Sequence, residues 1–132
     1  MPFTVDVVTP ERVVLSEPAT ALVAPGSRGS FGVWSHHAPF MSELTPGELR
    51  ITVEAGPELK MAVTGGFVQI FENKVTILAD AAEKAEEIDA GRAREALVRA
   101  QDELRAAQDA MTRLAAEEAA ARARARLRVA GE

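Results

Sequence analysis

The sequence predicts an α+β chain in two parts. An N-terminal antiparallel β-sandwich or barrel is expected over residues 1–84, a linker over 85–87, and a C-terminal α-helical hairpin over 88–132. Three observations carry this. Residues 1–83 hold all seven prolines, all five Phe, the single Trp and both His, with 5 basic and 10 acidic side chains, whereas residues 84–132 hold no proline or aromatic residue, 16 Ala among 49 positions, and 10 basic against 10 acidic. The first part is rich in strand and turn formers, the second in helix formers. The apolar period changes from two to 3.6 near Ala81. Finally, 132 residues with 47% hydrophobic and 27% charged content suit one ordinary domain or a small domain with an appendage.

The strands follow in order. Phe3-Thr4-Val5-Asp6-Val7 alternates with period two and stops at Thr9-Pro10. Ala21-Leu22-Val23 runs into Pro25-Gly26. Leu49-Arg50-Ile51-Thr52-Val53 alternates between Pro46-Gly47 and Gly56-Pro57. Leu59 to Val63 reaches Gly65-Gly66, and Phe67–Phe71 and Val75–Leu78 flank Glu72-Asn73-Lys74, a hairpin signal. Short strands with no helix between them indicate a sandwich or barrel, and about 80 residues can bury one modest core in that form.

Beyond Ala81 an apolar seam steps by three and four: Ala90, Ala93, Leu97, Ala100, Leu104, Ala107, Met111 and Leu114. Asp89 is placed as its N-cap, and Glu95–Arg99, Asp109–Arg113 and Glu118–Arg122 are i,i+4 pairs in the favourable order. The spacing alone fits one long helix or two in a hairpin, with Asp109 available to cap a second. A buried Leu contributes about 1.5–3 kcal/mol and an Ala methyl about 0.8, so an alanine seam is expected to dock weakly and remodel readily.

Several function classes are excluded. A formal charge of -5 does not suit a general nucleic-acid binder. No apolar run approaches the roughly 20 residues of a membrane helix, and no basic-then-apolar leader signals export. The absence of Cys removes disulfides, thiol catalysis and thiolate metal sites. His36-His37 lacks a third ligand, so no metal is expected, and His37 before Ala38-Pro39 reads as a turn or core-edge residue. Gly26-x-x-Gly29-x-x-Gly32 lacks the Lys-Ser/Thr ending of a phosphate loop, and its glycines are assigned to turns and bulges. Phe31, Trp34, Phe40 and Met41 are expected in the core or, failing that, on a docking face. No catalytic arrangement is present, so the chain is not expected to be an enzyme.

The order of the local pieces resembles the ε subunit of F-type ATP synthases, of the bacterial or chloroplast kind, over nearly the whole chain. The pieces are Val8-Thr9-Pro10, Gly29-x-x-Gly32 followed by His37-Ala38-Pro39, Thr64-Gly65-Gly66-Phe67, Lys74-Val75-Thr76-Ile77-Leu78-Ala79 and Ile88-Asp89-Ala90-Gly91-Arg92-Ala93. The resemblance implies a β-sandwich and a pair of helices in a non-catalytic subunit of the central rotor stalk. The sandwich would sit on the γ subunit and the membrane c-ring, through Phe31, Trp34, His37, Phe40 and Met41. The helices would brake ATP hydrolysis, switching between a folded-down hairpin and an extended form that reaches the α/β head. It also implies a peripheral location on the cytoplasmic face of a bacterial plasma membrane.

Ile88-Asp89-x-x-Arg92-Ala93 is similar to the ATP-binding motif of bacterial ε subunits. By position, the nucleotide contacts implied are Glu83, Ile88, Asp89, Arg92, Ala93, Arg99, Arg122 and Arg126. ATP would be a regulatory ligand rather than a required cofactor. Arg92 and Arg99, and Arg122 and Arg126, each share a helix face, and guanidiniums suit phosphate oxygens. Arg124 and Arg128 form a second stripe, which would meet an acidic surface of the β subunit; the plainer reading of this arginine run is a solvated helix end. Gly91 departs from the usual motif and costs about 1 kcal/mol of helix stability relative to Ala. A free-standing ATP-sensing module and a coiled-coil adaptor are the rival expectations.

Overall fold

The computed structural model describes residues 2–131; the outermost residues of the two expected parts, Met1 and Glu132, lie outside that range. Nine strands are followed by a 3-10 turn at Ala85–Glu87 and two helices. The strands are β1 (Phe3–Val8), β2 (Val13–Gly26), β3 (Gly29–Val33), β4 (Phe40–Leu44), β5 (Gly47–Val53), β6 (Glu58–Val63), β7 (Gly66–Phe71), β8 (Lys74–Ala79) and β9 (Ala82–Lys84). The helices are α1 (Ala90–Ala106) and α2 (Ala110–Val129). The expected sandwich and helical hairpin are both present.

Strand order β1-β8-β7-β4-β2-β5-β6-β9 closes on itself because β1 also pairs with β2, while β3 lies against β2. β2 makes this possible: its 14 residues pair first with β1, from Phe3↔Ala19 to Val8↔Val13, and then with β5 and β3. The strand therefore begins well before the expected Ala21, and it carries Pro18 and Pro25 within it. A register shift against β5 between Ala19 and Ala21 bends it from one layer to the other.

One pairing corrects the all-antiparallel expectation: β1 runs parallel to β8, from Thr4↔Lys74 to Val8↔Leu78. Only closure of the barrel brings these distant segments together, so no local pattern encodes it. The hairpin expected at Glu72-Asn73-Lys74 is formed, with Glu72 and Asn73 as its turn and Lys74 opening β8. Both turn residues have positive φ (49° and 60°), as a two-residue turn of the twist-matched kind requires. Inside the sandwich, alternate residues such as Val5, Val7, Leu22, Leu49, Ile51, Met61, Val68, Ile70, Val75 and Ile77 form one buried core, and every member of that core comes from the strands.

The apolar seam is not continuous. The helix stops at Ala106, Ala107 turns extended, and Asp109 caps α2 by accepting from the Thr112 N–H at 2.8 Å. Ala93 and Ala100 of α1 are buried, and so are Ala116, Ala120 and Ala123 of α2. The expected seam members Met111 and Leu114 instead stand 77% and 50% exposed. Antiparallel pairing after the break turns Ala116, Ala120 and Ala123 inward and these two residues out.

A second stripe of α2 reaches the sandwich. Ala125 and Val129 meet Ala62 of β6, with Ile88 packed alongside. The contact is small and mostly methyl groups, so burial alone contributes only a few kcal/mol to docking.

Candidate functional site

A cleft of about 340 Å³ opens where the sandwich meets the helical pair. It is lined by Glu83, Glu87, Asp89, Arg92, Ala93, Ala96, Arg99 and Arg126. Glu83 projects from β9, at the end of the sandwich. Asp89 is the N-cap of α1: its Oδ1 accepts from the Arg92 N–H at 3.1 Å. Arg92, Ala93, Ala96 and Arg99 follow at helical spacing along one face of α1. Arg126 enters from the last turns of α2, its Nε donating to Glu83 Oε1 at 2.6 Å. Both members of that pair are about one-third exposed, 31% and 30%.

The cleft thus sets three guanidiniums against three carboxylates around a floor of alanine. Guanidiniums suit phosphate oxygens, carboxylates accept from amino or hydroxyl groups, and small side chains leave room for a flat ring. Of the residues implied by the motif, Glu83, Asp89, Arg92, Ala93, Arg99 and Arg126 line this cleft. Ile88 does not; it packs with Ala62, Ala125 and Val129. Arg122, one helical turn before Arg126 on α2, lines a different cavity of about 460 Å³ with Glu43, Thr45, Asp80 and Glu118. Glu87 and Ala96 were not expected. Ala96 lies on the face already defined by Arg92 and Arg99, and that periodicity was the available signal. Glu87 is brought in by the 3-10 turn, which no sequence period marks.

Glu87 Oε1 accepts from the Lys84 N–H at 2.9 Å and Oε2 from Arg12 at 2.7 Å. The backbone hydrogen bond first, then the Arg12 charge, holds its carboxyl below the ordinary value of 4.5. Arg128 stands exposed with its Nε 3.7 Å from Glu48 Oε1, and Arg124 is also exposed.

At the end of the sandwich formed by the β3–β4 connection, Trp34, Phe40 and Met41 depart from the core expectation and stand exposed, whereas Phe31 packs against the core as expected. Trp34 is 63% exposed, Met41 66% and Phe40 39%, while Phe31 is half-buried. Phe40 meets Phe31 and His37 edge-on, with ring centroids at 5.4 and 5.8 Å. The Trp34 ring lies over Gly32, where a Cβ would come within 2.7 Å of it, so that glycine serves a close approach rather than a turn. His36 has φ 61°, and its N–H donates to Asn73 Oδ1 at 2.7 Å, tying this loop to the β7–β8 turn.

A further apolar face was missed. Phe67, Phe71 and Leu78 are 52%, 54% and 49% exposed on the outer side of β7 and β8. In Phe67-Val68-Gln69-Ile70-Phe71 both parities carry apolar residues, and that doubling is the sequence signal of a strand with two covered faces.

A closed sandwich with exposed aromatic surfaces and a lightly docked helical pair defines a class of assembly subunit. Comparison with known proteins makes it particular. Residues 2–85 match the ATP synthase, Delta/Epsilon chain, beta-sandwich domain, and residues 86–131 the long alpha-helix domain of the same chain. The chain is 48% identical over 132 residues to the ATP synthase epsilon chain of Anaeromyxobacter dehalogenans, covering 99% of each. It superposes with TM-score 0.86 and 25% identity on a chain of the Euglena gracilis mitochondrial ATP synthase OSCP/F1/c-ring structure, covering 99% of this chain and 82% of that one. A chain of the Tetrahymena thermophila mitochondrial ATP synthase central stalk/c-ring shares the fold at TM-score 0.65 and 19% identity, with 96% and 95% coverage. The protein belongs to the ATP synthase delta/epsilon chain family, as an epsilon-type, non-catalytic stalk subunit.

Proposed function

We propose that this chain is a rotor subunit of the central stalk. The sandwich couples c-ring rotation to the catalytic head by docking on γ and the ring, and the helices act as an ATP-responsive brake on hydrolysis. The observation that carries the regulatory reading is the cleft in which Glu83 of the sandwich meets Asp89, Arg92 and Arg99 of α1 and Arg126 of α2. A ligand spanning it ties three elements together. At free ATP 100 times its dissociation constant, binding adds about 2.7 kcal/mol to the docked state. That matches the scale of a contact built from Ala62, Ala125, Val129 and Ile88, so nucleotide can reset the helices' position.

Docking on two partners is supported by two exposed apolar surfaces, one at Trp34, Phe40 and Met41, the other at Phe67, Phe71 and Leu78. Patches of this kind mark protein contacts. Among the described residues no helix is long and apolar enough to cross a membrane. Attachment to the cytoplasmic face of a bacterial plasma membrane therefore runs, in this reading, through the complex. In the extended state Arg124 and Arg128 meet acidic surface on the α/β head.

Calorimetry tests the nucleotide part. Arg92→Ala and Arg126→Ala each weaken ATP binding at least tenfold, a loss above about 1.4 kcal/mol; unchanged affinity removes those two contacts from the reading. Deleting residues from 88 onward in the assembled ATP synthase leaves assembly intact and raises ATP hydrolysis. Hydrolysis that does not rise means the helices are not a brake.

A further inference from the structure

The Thr9-Pro10 turn between β1 and β2 contributes nothing to ligand binding in the reading above, yet it is built with care. Thr9 is 8% exposed and closes the turn three ways. Its N–H donates to the Arg12 carbonyl at 2.9 Å, its Oγ1 donates to the same carbonyl at 3.3 Å, and that hydroxyl accepts from the Arg12 N–H at 3.3 Å. These bonds fix the backbone position from which the Arg12 side chain starts. Its Nη2 crosses 75 residues of sequence to Glu87 Oε2 at 2.7 Å. Glu87 Oε1 is occupied by the Lys84 N–H, and the Ile88 N–H closes the 3-10 turn on the Ala85 carbonyl at 3.2 Å.

Both oxygens of Glu87 are therefore engaged on the sandwich side, although Glu87 also lines the cleft. The next two residues, Ile88 and Asp89, are extended (φ -90°, ψ 127° and φ -88°, ψ 100°) and lead directly into α1.

We propose that Arg12 is a positioning residue of the nucleotide cleft. Held by Thr9, it clamps Glu87 so that the 85–87 turn belongs to the sandwich and the helices hinge at Ile88–Asp89. Released from Arg12, the Glu87 carboxylate shares the cleft with the guanidiniums of Arg92, Arg99 and Arg126 and competes with phosphate for them. The affinity consequence rests on the nucleotide reading above; the clamp and the hinge do not. An ordinary exposed ion pair contributes little and couples to nothing distant, which gives the proposal a clear opposite.

The test uses the full-length chain with Arg12→Gln, Glu87→Gln and the double variant. Amide hydrogen exchange is measured without ligand, and ATP affinity by calorimetry. Arg12→Gln is expected to speed exchange at Lys84 and Ile88 several-fold, leave the sandwich core amides unchanged, and weaken ATP about two- to fivefold. The double variant is expected to bind ATP no more weakly than the weaker single one, since the two side chains act as a unit. Wild-type exchange at Lys84 and Ile88 in Arg12→Gln overturns the clamp. Affinities that fall additively overturn the positioning role. If the wild-type chain gives no ATP binding at all, the nucleotide reading fails, and the exchange at Lys84 and Ile88 still decides the clamp.

Discussion

Three carboxylates show how single residues set the conditions under which this molecule holds together. Asp6 accepts from Ser16 at 2.7 Å and faces Lys74 at 3.2 Å, and the Ser16 hydrogen bond first, with Lys74, keeps its carboxyl below the ordinary 3.8. Asp109 is held below 3.8 chiefly by the Thr112 N–H and hydroxyl, and Glu87 below 4.5 by Lys84 and Arg12. A carboxyl whose folded value is depressed contributes stability above its unfolded value and loses it as pH falls through the folded one. Acidification should therefore leave these three contributions in place down to the ordinary values of the free groups. Below the 4.5 and 3.8 of the free groups, the linker turn and the start of α2 should loosen progressively. Amide exchange at Lys84 and Thr112 followed against pH checks this; exchange that slows on acidification, after correction for intrinsic chemistry, contradicts it.

Among the elements, α2 is the informative one, because it presents two different narrow stripes. Ala116, Ala120 and Ala123 face α1, while Ala125 and Val129 face β6. Alanine lets the helices approach closely and leaves little space for anything larger. Ala120→Leu should destabilise the helical pair by about 1–3 kcal/mol through overpacking. Met111→Lys should stay within about 0.5 kcal/mol, because its side chain is already 77% exposed. Denaturant unfolding monitored by helical signal separates the two cases. A large loss at Met111 would restore the unbroken seam that the sequence spacing suggests.

At the scale of the whole molecule, the two parts share little. The sandwich core draws on strands alone, and among the described residues the helices join it where α2 packs along β5 and β6, with a small apolar cluster and the ion pairs Arg126–Glu83 and Arg128–Glu48. Arg126–Glu83 is still about one-third exposed and Arg128 reaches Glu48 from solvent, so each pair adds only about 1 kcal/mol. Calorimetric heating should accordingly show the helical part melting first and the sandwich afterwards. A chain ending near residue 87 should keep its sandwich transition within a few degrees of the full-length value. A single cooperative transition that collapses on truncation would mean the two parts are energetically one. The same looseness is what the proposed function requires, since a firmly fused helical pair could not be repositioned by a ligand of ordinary affinity.

The local chemistry of the chain was legible residue by residue. Period-two alternation marked most strands, Glu72-Asn73-Lys74 marked a hairpin, Asp89 marked the start of α1, and the spacing of Arg92 and Arg99 put both on one face of that helix. These features depend on neighbours within a few positions, so the sequence by itself determined them. Tertiary structure alone decided the parallel β1–β8 pairing, the break that turns Met111 outward, the exposure of Trp34 and Met41, and the arrival of Glu83, Glu87 and Arg126 at one cleft while Arg122 goes elsewhere. Each of these depends on which distant segment closes against which, and an apolar residue or an arginine carries the same local pattern whether it meets the core, a partner or water.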